Sequence, residues 1–111
     1  MKLKQNPQDK AMILEVSGKI MGGPGHDQFK DEVKSILEAG HKNIVLDFSG
    51  VPWINSTGLG ILISGYHSVK AAEGSLKICS VRDRVLSIFY VSQLEKIFEV
   101  YPTREEALAS L

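Results

Sequence analysis

The stretch Asp47-Phe48-Ser49-Gly50-Val51-Pro52-Trp53-Ile54-Asn55-Ser56-Thr57-Gly58-Leu59-Gly60 decides how this chain is read. It begins as a buried strand, breaks at Gly50 and Pro52, and then sets two hydroxyls and two glycines at the start of a helix. The first amides of a helix have no intrahelical acceptor, so this position favours negative charge. Its small residues let another backbone or a phosphate come close. Asn55, Ser56 and Thr57 can each accept hydrogen bonds from first-turn amides, and the sequence alone does not say which one caps. Upstream, the continuous run Ile44-Val45-Leu46 suits a central strand covered on both faces, predicted over residues 43–48. Downstream, Leu59, Leu62, Ile63, Tyr66 and Val69 mark one face of a helix running to about Ala72 and ended by Gly74.

Working outward, residues 12–16 read as a strand before Gly18, with an edge strand near Leu3. Met21-Gly22-Gly23-Pro24-Gly25-His26 reads as a loop, and Phe29, Val33, Ile36 and Leu37 predict a helix over 27–39 with Gly40 as its C-cap. Beyond Gly74, Leu76-Lys77-Ile78-Cys79 is expected as a third core strand. Val85, Leu86, Ile88, Phe89 and Val91 predict a helix from Asp83, and residues 97–100 a short strand. Thr103 and Glu106 have capping-box spacing, so a helix is expected over 105–111. This alternation implies an α/β fold of parallel strands joined by crossover helices. Sites on such sheets gather at the carboxyl ends of strands, so the turns at 21–26 and 49–58 are expected side by side.

The composition narrows the function. With 111 residues, 43% of them hydrophobic, the chain is expected to form one domain over 1–111. Thirteen basic residues balance thirteen acidic ones, so no global field points to nucleic acid or an anionic membrane. No apolar run reaches the roughly 18 residues of a membrane span. One cysteine, Cys79, and a start without a signal-peptide core give a cytoplasmic expectation. Ser56 with His26, His41 or His67 has the residue types of a hydrolase, but no Gly-x-Ser-x-Gly elbow is present. The three histidines lie on separate elements and Cys79 sits in a core strand, so no metal is expected. Gly22-Gly23-Pro24-Gly25 lacks the Walker lysine and hydroxyl and reads first as a tight turn. Trp53 reads equally as an interface anchor or a core residue. No catalytic residue and no cofactor is expected.

The 47–60 stretch resembles the signature of the STAS family, the bacterial anti-sigma factor antagonists. The order and spacing of Gly18, of Lys70 with Gly74-Ser75-Leu76-Lys77, and of Val85-Leu86-Ser87-Ile88-Phe89 up to Leu94 extend the resemblance over nearly the whole chain. The resemblance implies a STAS fold, a four- to five-stranded mixed, mostly parallel sheet with about four helices. It implies that Ser56 is phosphorylated by a partner serine kinase of the anti-sigma type and dephosphorylated by a serine phosphatase. Only the unphosphorylated form of such proteins binds the anti-sigma factor, freeing a sigma factor for RNA polymerase. On this pattern the chain is a substrate and not an enzyme. Its partner-binding residues are Met21, Gly22, Gly23, Trp53, Asn55, Ser56, Thr57 and Gly58, and Thr57 is a lesser phosphoacceptor. The chain departs from many relatives in having Asn55 where they have aspartate, and Met21-Gly22-Gly23 where they have an acidic residue. The alternative is a non-switching STAS scaffold or an accessory subunit of a signalling or transport complex. The oligomeric state stays open, a weak homodimer included.

Overall fold

The computed structural model describes residues 1–8, 10–21 and 24–111, with 24–26 described as backbone. In chain order the elements are β1 (Lys2–Pro7), β2 (Met12–Ser17), α1 (Pro24–Glu38), β3 (Asn43–Gly50), α2 (Ser56–Ala71), β4 (Ser75–Cys79) and α3 (Asp83–Val91). A 3-10 turn at Leu94–Lys96, β5 (Glu99–Tyr101) and α4 (Arg104–Ala109) complete the chain. The five strands lie in the order β1-β2-β3-β4-β5. β1 runs antiparallel to β2 because only four residues join them, with Gln8 N–H bonded to the Ala11 carbonyl at 2.9 Å, and so short a link cannot make a parallel crossover. The remaining neighbours pair in parallel, each through a helical connection. The mixed, mostly parallel sheet with four helices expected from the sequence is therefore the one observed.

The strand period of two divides the core. Leu14, Val16, Ile44, Leu46, Phe48 and Ile78 face the layer of α1, α2 and α3, where Phe29, Val33, Ile36, Leu62, Val69, Val85 and Phe89 meet them. Ile13, Val45 and Cys79 point the other way and are covered by Ala107 of α4. Ile44 to Phe48 are all buried, as a strand covered on both faces requires. Gly65 sets the spacing between α1 and α2. A Cβ there would stand 2.5 Å from Cε2 of Phe29, so any larger residue drives the two helices apart.

α4 is fastened by charge. Arg104 donates to Asp47 at 2.7 Å and to Glu15 at 3.1 Å across the sheet face. On the same face Lys77 is buried, and its ammonium reaches Glu99 at 3.1 Å. Thr103 caps α4 by accepting the Glu106 N–H at 3.1 Å, as its spacing predicts.

Several element bounds, and the burial of one residue, differ from the sequence reading. α1 begins at Pro24, three residues before the expected start, because proline's fixed φ suits the first helical position and its missing N–H costs nothing there. The expected loop at 21–26 is thus helical from 24 onward, while Gly22 and Gly23 lie outside the described residues. Val91 is 86% exposed, since the buried α3 residues are Val85 and Phe89, one turn apart, and Val91 lies two residues past Phe89 on the opposite side. The last strand moves to Glu99–Tyr101 because the 3-10 turn occupies the residues before it. α4 covers Arg104–Ala109 and stops short of the expected Leu111.

Candidate functional site

The site is the passage from β3 into α2. At its start Asp47 accepts the Ser49 N–H at 2.9 Å, Val51 N–H returns to the Phe48 carbonyl at 2.9 Å, and Arg82 Nε donates to the Ser49 carbonyl at 2.9 Å. The chain then runs beside residues 18–20. Gly18 N–H bonds to the Gly50 carbonyl at 2.9 Å, Ile20 N–H to Trp53 at 3.1 Å, and Asn55 N–H to Ile20 at 3.2 Å. Ile20 and Ile54 form a parallel bridge, and both side chains are buried. Residues 18–21 therefore lie against 50–58, and the expected adjacency of the turns at 21–26 and 49–58 is met at Met21, which is 48% exposed, while Gly22 and Gly23 lie outside the described residues.

Asn55 is the N-cap of α2. It is extended (φ −106°, ψ −178°), and its Oδ1 accepts the Gly58 N–H at 2.8 Å. Its Nδ2 donates to the Met21 carbonyl at 3.2 Å. An aspartate could accept from Gly58 but could not donate to Met21, so the amide ties the two loops in a way a carboxylate cannot. With the cap supplied by Asn55, Ser56 and Thr57 are the first two residues of the helix. Both are exposed, and neither hydroxyl is hydrogen-bonded among the described residues. Their N–H groups likewise have no protein acceptor among those residues. No acidic residue stands in the first turn of α2, so its positive end is unneutralised from within.

Gly58 is buried beneath this turn. A Cβ at Gly58 would run into the Ile20 carbonyl oxygen and come within 2.8 Å of Ile54 Cγ1, whereas one at Gly60 would meet nothing within 4 Å. Trp53 is half-buried, with the Arg84 guanidinium 4.6 Å from its ring centroid, a cation–π geometry that holds the ring at the surface. Arg82, Arg84 and Ile20 are parts of the site that sequence reasoning missed. Their only signal was placement at other strand ends of a parallel sheet.

Neither His41 nor His67 forms a catalytic set with Ser56. His41 precedes β3, at the opposite end of a strand about 25 Å long. His67 lies along α2, about 16 Å of helix from Ser56. The backbone of His26 begins α1, and its side chain lies outside the described residues. Among the described residues no group of His, Cys, Asp or Glu could hold a metal, and no helix is long and apolar enough to cross a membrane. Cys79 is buried under α4, and that burial pushes its thiol pKa up, so the reactive thiolate is disfavoured.

Comparison with known proteins places this geometry. The STAS domain family model matches residues 2–107. BtrV of Bordetella bronchiseptica, named as a candidate anti-sigma factor antagonist, is 26% identical over 110 residues, covering 99% of this chain and 94% of BtrV. The anti-sigma-B factor antagonist of Bacillus subtilis is 24% identical over 98 residues, 88% of this chain and 86% of that protein. The crystal structure of TM1081 from Thermotoga maritima, also named as a candidate anti-sigma factor antagonist, superposes with a TM-score of 0.85. It is 25% identical and covers 97% of this chain and 92% of its own.

Proposed function

The chain belongs to the STAS domain family, and from that membership we propose that it is an anti-sigma factor antagonist switched by phosphorylation of Ser56. One observation carries the reading. Ser56 stands exposed at the first position of α2 while Asn55 performs the capping, so the Ser56 hydroxyl is free for modification without loss of a structural bond. The partner is an anti-sigma factor that is also a serine kinase, and a serine phosphatase resets the switch. Met21, Trp53, Asn55, Ser56 and Thr57 form the contact surface, together with Gly22 and Gly23, which follow Met21 in the sequence. Gly58 serves it from below by letting the two loops touch. The protein is the substrate of this chemistry and works in the cytoplasm, and its residues 2–107 form one STAS domain.

The physics of the switch is local. A phosphate adds about −1.5 to −2 charge, which the free amides and dipole of α2 accommodate at a gain of roughly 0.3–1 kcal/mol. At a packed interface the same group must be desolvated, costing several kcal/mol where no counter-charge waits. A penalty near 4 kcal/mol weakens binding about a thousandfold.

The test is incubation of the protein with its cognate kinase and ATP, followed by mass spectrometry. The expected result is one phosphate on Ser56, absent in Ser56→Ala, and loss of anti-sigma binding in Ser56→Asp. An unmodified Ser56 with binding unchanged in Ser56→Asp would sink the switch. The second reading, a non-switching scaffold or accessory subunit, draws on the missing acid in the first turn and on Asn55, and predicts that second outcome.

A further inference from the structure

A second surface lies on the outer side of α3, where the 3-10 turn and β5 meet it. A groove of about 350 Å³ opens there, within the size range of small ligand clefts. Val81, Leu86, Tyr90 and Val100 give it apolar walls, and Asp83 and Glu95 are its only charged lining residues among those described. Three features make it a receiving surface rather than a dent. Tyr90, in its wall, is 58% exposed. Glu95 lines it with a carboxylate whose Oε2 is buried and finds no hydrogen-bond donor among the described residues, a costly state that is relieved when the side chain turns to meet a donor in the groove. Beside them β5 is an edge strand, paired with β4 on one side only.

We propose that this groove binds an extended peptide segment of another protein, carrying an arginine or lysine between aliphatic residues. The charge sets the occupant, because two carboxylates without a lining cation select a basic side chain. The Tyr90 ring supplies a face for its cation or stem. The free edge of β5 offers main-chain hydrogen bonds to a strand laid alongside, and the apolar walls take the flanking side chains. The site uses none of the residues of the Ser56 turn, so it adds a second contact to the switch and stands or falls separately from it.

The probe is the tripeptide acetyl-Leu-Arg-Leu-amide, titrated into the full chain labelled with nitrogen-15, with the citrulline analogue as its neutral match. The expected result is saturable amide shifts confined to residues 81–102. Binding should be about tenfold weaker for the citrulline peptide and for Glu95→Gln, both of which remove the charge-assisted hydrogen bond. Tyr90→Ala, an exposed and fold-neutral change, should also weaken it. No saturable shift, equal shifts with citrulline, or binding unchanged in Glu95→Gln would overturn the proposal. So would light scattering that shows a dimer dispersed by Tyr90→Ala, since a second copy would then be the occupant.

Discussion

Gly58 and Gly60 stand two residues apart near the start of α2 and are held by opposite constraints. Gly58 has the Ile20 carbonyl against the place where a Cβ would go, whereas Gly60 faces open space. Gly58→Ala is therefore expected to destabilise the fold by about 1–3 kcal/mol through forced displacement of the 18–21 segment. Gly60→Ala should stabilise it by about 0.5–1 kcal/mol, the ordinary gain of alanine over glycine inside a helix. Urea denaturation of the two variants checks both signs. Ser56→Asp should change stability by less than about 1 kcal/mol in the same measurement, because the charge sits at the favourable end of the helix and replaces no bond. A large loss would mean that the Ser56 hydroxyl has a structural role. The sequence narrowed the cap to three adjacent residues but could not choose among them, since all three have suitable side chains. What selects Asn55 is its second bond, to Met21, thirty-four residues away.

The element that depends most on charge is α4. Burial alone pushes the Asp47 carboxyl up, but hydrogen bonds from the Ser49 N–H and the Arg104 guanidinium outweigh burial and hold it below its ordinary value of 3.8. A carboxyl depressed in the native state stabilises the fold above its unfolded pKa, and that contribution is lost as pH falls through the lower native value. Wild-type stability should thus fall more steeply than that of Arg104→Gln between about pH 5 and about pH 2.5, as read from urea midpoints. At neutral pH the substitution should cost about 1–2 kcal/mol, a moderate figure because the Arg104 side chain is 28% exposed. Helices and strands with local signals were legible in the sequence. Thr103 announced α4 by a cap that closes within three residues, and Ile44-Val45-Leu46 announced the central strand by being apolar on both faces. Elements set by distant partners were not. Asp47 and Arg104 are fifty-seven residues apart, and nothing local marks Val91 as exposed or shortens β5.

The strands of the whole molecule lie side by side in their chain order, and its Cα radius of gyration is 12.5 Å, close to the roughly 13 Å of a compact domain this long. One cooperative unfolding transition is expected, with Trp53 fluorescence and far-ultraviolet circular dichroism superimposing in urea. Separate midpoints would show that the β1–β2 hairpin or α4 melts independently. The sequence revealed this architecture through the alternation of periods, but the direction of β1 came from a link too short to cross over. Hydrogen bonds from Gly18, Ile20 and Asn55, with the buried Gly58, stitch residues 18–21 to 50–58. The turn into α2 is accordingly not a transplantable loop. A chimera given residues 50–60 from a relative would inherit half of a two-piece joint and should misfold or express poorly. One given both segments should be sound, so in this fold the unit that can be exchanged is a pair of separated segments that change in concert.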